Sequence, residues 1–90
     1  MQKAIITAVG KNTFGIIARV ATKLAEENID ILDISQTIVH GFFNMMMIVD
    51  MEDCKKPFSD IAKDMEKIGE EKGIQIKCQR EEIFDKMHRL

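Results

Sequence analysis

The chain is short of everything that would mark it as a linker, a secreted scaffold or a membrane protein. One proline and five glycines in 90 residues exclude a Pro/Gly-rich disordered segment. Two cysteines, Cys54 and Cys78, form no CxxC and are too few for a disulfide framework or a structural zinc site, so both are expected as free thiols. No apolar run approaches the ~20 residues a bilayer requires, and MQKAIITAVGK lacks a signal-peptide core. A cytoplasmic protein with no membrane partner is the expectation. A net charge of −2 gives no general attraction to nucleic acid.

What remains is an ordinary globular composition, 46% hydrophobic and 31% charged. A chain of this length buries only roughly 60–65% of its unfolded surface, so a partner surface would add to a modest core.

Hydrophobic periodicity orders the elements. Lys3 to Val9 is β-branched and apolar on both faces, as a central strand should be. From Phe14 to Asn28, Ile16, Ile17, Val20, Ala21 and Leu24 recur at helical spacing, with Arg19, Lys23, Glu26 and Glu27 mostly opposite. Asn12 or Thr13 is the expected cap. Ile31 to Val39 and Phe42 to Met51 read as a hairpin turning at Gly41. Pro57 suits a first helical turn, and Phe58, Ile61, Ala62, Met65 and Ile68 form a second amphipathic stripe that Gly73 stops. Ile74, Ile76 and Cys78 then alternate with Gln75, Lys77 and Gln79 in a one-sided strand. The tail carries Ile83, Phe84, Met87 and Leu90 at the spacing of a short helix.

The order is βαββαβ. Right-handed crossovers place both helices on one face of an antiparallel sheet of order 4-1-3-2, the ferredoxin-like α+β fold. The domain is expected over residues 1–81, with a helical tail over 82–90. The third strand is apolar on both sides, Phe43, Met45, Met47 and Val49 against Phe42, Met46 and Ile48. Two helices cover one face only, so the second face calls for a cover. The candidates are a second subunit, the tail or RNA; a homodimer with the tail contributing is the expected one.

Several chemistries fail on the residues. The third strand lacks the aromatic pattern that stacks RNA bases, and the methionines at 45, 46, 47 and 51 read as core filler before soft-metal ligands. His40 and His88 have no acid or nucleophile at a motif spacing and are expected at the surface. Asp33 and Asp50 sit in apolar strands and need solvent or a partner. No catalytic constellation emerges, so the chain is not read as an enzyme, and no metal or cofactor is called for.

The stretch VGKNTFGII remains. Gly10 and Gly15 have P-loop spacing, but Ile16 and Ile17 stand where Lys and Ser or Thr would be needed. The loop opens a helix, where free N–H groups favour an anion. The two glycines permit close backbone approach, and the Asn12 amide both donates and accepts. The plain alternative is that Asn12 caps the helix and the glycines only make the turn.

Gly10-Lys11-Asn12-Thr13-Phe14-Gly15-Ile16, followed by Ala18 and Val20, resembles the first-loop pattern Gly-x-Asp-x-Pro-Gly-Ile of ACT domains, regulatory modules of amino-acid metabolism. The run Asn28 to Thr37 and the hairpin His40-Gly41-Phe42-Phe43 extend the likeness to single-ACT-domain proteins similar to the glycine cleavage system repressor. The resemblance implies homodimers or higher oligomers and an amino-acid effector. The effector would be held by the first loop of one copy (Gly10, Lys11, Asn12, Thr13, Gly15) and by Asp30 at the second-strand start of its neighbour. A regulated protein partner would read the assembled state. Phe14 stands in place of the usual Pro, and Asp30 in place of a common Asn. The alternative is a ligand-free assembly module.

Overall fold

The computed structural model describes residues 2–11 and 15–80. Its elements are β1 (Lys3–Gly10), α1 (Ile16–Glu26), β2 (Asp30–Val39), β3 (Phe42–Asp50), α2 (Phe58–Lys72) and β4 (Gln75–Arg80). The sheet order is β2-β3-β1-β4, every pair antiparallel, which is the predicted ferredoxin-like topology. No described helix is long and apolar enough to cross a membrane.

Register decides which side chains meet the helices. Ala4 pairs with Val49, Ile6 with Met47 and Ala8 with Met45, and all six belong to one buried cluster. Because side chains alternate along a strand, this set forms one face. α1 adds Ile16, Val20 and Leu24 to the same cluster, and α2 adds Ile61, Met65 and Ile68. Met45 and Met47 of β3 are buried there and Met51 is buried too, as expected of core filler, whereas Met46 is exposed on the opposite face and fills no core beneath the helices.

Both helices end on the same device. Asn28 takes a left-handed φ of 60°, Ile29 N–H donates to Leu24 O at 2.9 Å, and Asn28 N–H to Ala25 O at 3.2 Å. Gly73 (φ 69°) repeats the pattern, with Ile74 N–H donating to Gly69 O at 2.8 Å. These bonds satisfy otherwise orphaned carbonyls, and buried Ile29 and Ile74 carry the chain into the next strand.

The helix starts differ from expectation. α1 begins at Ile16, and its N-cap position is Gly15, which makes no side-chain cap hydrogen bond. Neither Asn12 nor Thr13 occupies that position; both lie outside the described residues. Pro57 is the N-cap of α2, in extended geometry, and not part of its first turn. Its carbonyl accepts from Asp60 N–H at 3.0 Å.

The β2–β3 hairpin closes at the pair Val39–Phe42 through two residues of positive φ, His40 (50°) and Gly41 (78°). That is a type I′ turn, the geometry that matches strand twist. A register shift between Ile31 and Asp33 bulges β2 at Leu32. The tail expected over 82–90 lies outside the described residues.

Candidate functional site

The first loop leaves the sheet at Gly10, the last residue of β1, which pairs with Phe43. A β-carbon there would lie 2.8 Å from Ile74 Cγ1, so internal packing accounts for this glycine without a ligand. Lys11 places Nζ 5.2 Å from the centroid of the Phe42 ring. Such a contact holds the ammonium against the open side of the sheet and contributes about 0.5–1 kcal/mol when exposed.

Gly15 is different. Its φ of 73° is a conformation other residues adopt only under strain, and no described atom lies within 4 Å of where its β-carbon would be. Its carbonyl accepts from Arg19 N–H at 3.0 Å, which starts the helix. The first turn carries no acidic residue, and Gly15 has no side chain to turn toward its N–H groups. Among the described residues, nothing crowds this end of α1, which is the positive end of the helix dipole.

Asp30, the remaining candidate, stands elsewhere. It pairs with Asp50, and Asp50 pairs with Lys3 on its other side. This row closes the sheet at the end opposite Gly10. Seven residues of β1 separate the two rows, about 23 Å at ~3.3 Å per residue. The fold therefore keeps Asp30 away from Gly10 within one chain. Asp50 is already engaged: its Oδ1 accepts from Gln2 N–H (3.1 Å) and Glu52 N–H (3.0 Å). Asp33 satisfies its own strand, Oδ1 accepting from Ile34 N–H at 2.8 Å.

β2 is the second notable surface. All ten of its residues are exposed, although Ile31, Ile34 and Ile38 pair with core residues Val49, Met47 and Phe43 and so lie on the helix side. Ile38 is 70% exposed. α1 does not shield this margin, and among the described residues the outer edge of β2 pairs with no strand. The periodicity of Ile31 to Val39 identified a strand, and the order 4-1-3-2 made it an edge. Nothing in the local sequence showed that its helix side would be bare.

A third cluster joins α1 to α2. Lys56 Nζ stands 3.1 Å from Glu27 Oε2 and 3.4 Å from Asp64 Oδ2, and Lys23 Nζ reaches the same Asp64 oxygen at 3.4 Å. Glu27, foremost, holds the Lys56 pKa above its ordinary value. Partial burial acts to raise the Asp64 pKa, but Lys23 and then Lys56 outweigh it and hold that carboxyl below its ordinary range. Lys56 thus ties the loop before α2 to both helices. Arg19, Lys67, Glu26 and Glu71 border the adjoining shallow recess, and its mixed signs suit neither an anion nor a cation.

No group of three or more His, Cys, Asp or Glu suited to a metal occurs among the described residues. Both cysteines are free. Burial pushes the Cys78 thiol up to about 11, which makes it a poor nucleophile at neutral pH. His40 is exposed at the hairpin tip; His88 lies outside the described residues.

Comparison with known proteins places this geometry in context. A family model described as ACT domain matches residues 2–79. A UPF0237 protein of Bifidobacterium longum is 57% identical over 90 residues, covering all of both chains. A solved ACT domain protein from Streptococcus pneumoniae superposes with a TM-score of 0.81 at 41% identity, covering 92% of this chain and 93% of that one. A protein solved as a candidate glycine cleavage system transcriptional repressor shares the fold at 20% identity and a TM-score of 0.72, over 88% of this chain and 45% of its own.

Proposed function

This chain belongs to the ACT domain family, whose members are regulatory ligand-binding modules, and on that premise we propose that it binds an amino acid between two copies of itself. The first loop of one copy, Gly10 to Gly15 with Lys11, Asn12 and Thr13, supplies one half of the site. Asp30 of the other copy supplies the second half. Binding acts by linkage: a ligand that bridges subunits favours the assembled state by its differential affinity, and a protein partner reads that state.

The observation that carries this reading is the separation of the two halves in one chain combined with the bare edge of β2. Two β2 edges paired antiparallel about a two-fold axis set the start of one β2 beside the end of the other. The end of β2 is the Val39–Phe42 end of the sheet, where Lys11 and Gly10 stand. The same pairing gathers Ile31, Ile34 and Ile38 of both copies under cover. It brings the neighbour's carboxylate, suited to a ligand ammonium, to the end where the α1 N-terminus suits a ligand carboxylate. The opposition of Asp30 and Asp50 also favours a cation near Asp30.

A second reading, a ligand-free assembly module, is favoured by Gly10 and Lys11, whose packing against Ile74 and Phe42 needs no ligand. Either way the role is non-enzymatic. The cytoplasm is the proposed compartment, since free Cys54 and Cys78 suit a reducing one.

A thermal-shift screen against the twenty amino acids, with light scattering on any hit, separates the readings. A ligand at 100 times its dissociation constant adds ~2.7 kcal/mol, a readable shift in a domain of this size. A hit that raises the assembled fraction supports the effector site. A dimer that responds to none of the twenty supports the assembly module.

A further inference from the structure

The outward backbone groups of β2 follow from its hairpin. The type I′ turn bonds Val39 to Phe42, and hydrogen-bonded pairs alternate from there. Thr37–Asn44 and Ser35–Met46 exchange bonds with β3, whereas Ile38, Gln36 and Ile34 turn their N–H and C=O groups away from it. All three are exposed, and no described strand pairs with them. One outward group is nevertheless taken. Ile34 N–H donates to Oδ1 of Asp33 at 2.8 Å, the bond that a neighbouring strand would need for its own carbonyl. The two edges of the sheet thus differ. β4 carries Lys77 and Arg80, charges of the kind that deter pairing, while the ten residues of β2 include no Lys, Arg or Pro.

We propose that Asp33 guards the β2 edge: its carboxylate blocks Ile34 N–H in the free chain and turns aside when a second copy pairs there. This rests on the β2 pairing proposed above and adds its regulation. Ile34, Gln36 and Ile38 are symmetric about Gln36, so a two-fold axis at Gln36 sets Ile34 of each copy opposite Ile38 of the other. Every outward group of the three is then used, and Ile34 N–H receives the carbonyl of Ile38 in place of Asp33. Asp33 comes level with Val39 of the second copy. That level also holds Phe42 and, one residue past Gly10, Lys11, whose Nζ lies 5.2 Å from the centroid of the Phe42 ring. Asp33 pairs with Ile48, which places it on the face away from the helices, as Phe42 is. The freed carboxylate therefore enters a row of opposite charge.

Sedimentation equilibrium of the full chain reads the guard as a dimer dissociation constant. Asp33→Ala frees Ile34 N–H in both copies. Each exchange of one hydrogen bond for another is modest, so the dimer should tighten by about tenfold. Asp33→Asn keeps an acceptor oxygen without the charge and should stay near wild type. An Asp33→Asn dimer as tight as that of Asp33→Ala would make charge repulsion the obstacle and overturn the guard. So would an Asp33→Ala constant equal to that of the wild type while Ile34→Lys dissociates both, since the β2 pairing would then stand without it. Ile34→Lys added to Asp33→Ala should abolish the gained dimer. A dimer that ignores Ile34→Lys in both backgrounds, or a chain monomeric in every form, would overturn the pairing itself and the guard with it.

Discussion

A β-carbon on Gly10 would stand 2.8 Å from Cγ1 of Ile74 and 3.2 Å from its Cα, so the first loop begins where the chain leaving α2 leans across the end of β1. The contact gives Gly10 a structural role that its place in a ligand-loop motif conceals. Gly10→Ala should destabilise the fold by about 1–3 kcal/mol through overpacking. Ile74→Ala removes Cγ1, so the double variant should lose less stability than the two single losses added, a coupling that urea denaturation reads directly. Unchanged stability in Gly10→Ala would return this glycine to ligand approach alone.

The same residue shows how far the sequence could be read. Element order, both amphipathic stripes and the hairpin follow from periodicity and glycine placement, because those signals are local. The relation of Gly10 to Ile74 is not local, and neither is that of Gly69, where a β-carbon would meet Ile76 N at 3.2 Å. Gly69 lies within α2 with no turn to announce it. The N-cap of α1 departs from the sequence expectation for a related reason. Asn12 and Thr13 are better capping residues than glycine by composition, but the left-handed turn at Gly15 puts the helix start later. Asp30 was legible as a strand-start polar residue; its distance from the loop required the register.

The β2 edge carries the assembly prediction. Lysine on an edge strand deters strand pairing, because the charge would have to be buried or crowded against its own copy. Ile34 is 42% exposed and lies on the margin that α1 leaves bare. Ile34→Lys should therefore lower the mass measured by light scattering from dimer to monomer. The cost to the isolated fold should be about 0.5 kcal/mol, as for most surface changes. A dimer that persists in Ile34→Lys and in Ile38→Lys would move the interface elsewhere on the molecule.

A site shared between copies makes a prediction that a site within one chain does not. Asp30→Ala and Asn12→Ala should each abolish amino-acid binding when studied alone. Mixed in equal amounts and allowed to exchange subunits, they form mixed dimers in half of all cases. Each mixed dimer holds one site with both changes and one site with neither. Calorimetric titration of the mixture should then recover about a quarter of the wild-type sites at wild-type affinity, a fraction fixed by random pairing. No recovery, with exchange verified, would place both residues in a single-chain site or outside any site.

The last prediction concerns alkaline stability and rests on Cys78. Burial raises its thiol from 9.0 to about 11 in the folded chain, whereas the unfolded thiol keeps its ordinary value. Below pH 9 both states hold the proton, and stability does not depend on this group. Between pH 9 and about 11 the unfolded chain releases the proton and the native chain retains it, so stability falls as pH rises and levels once both are ionised. The full loss is on the order of 2–3 kcal/mol, two pKa units at ~1.4 kcal/mol each. Lys56, raised chiefly by Glu27, adds its own loss only at the upper end of this range, above 10.5. Cys78→Val fills a similar volume beside Ile6 and has no proton to lose. Urea melts of the two proteins should run parallel up to pH 9 and diverge above it, with the wild type falling more steeply. Parallel curves up to pH 11 would mean that the Cys78 thiol is as free to ionise in the folded sheet as in the unfolded chain.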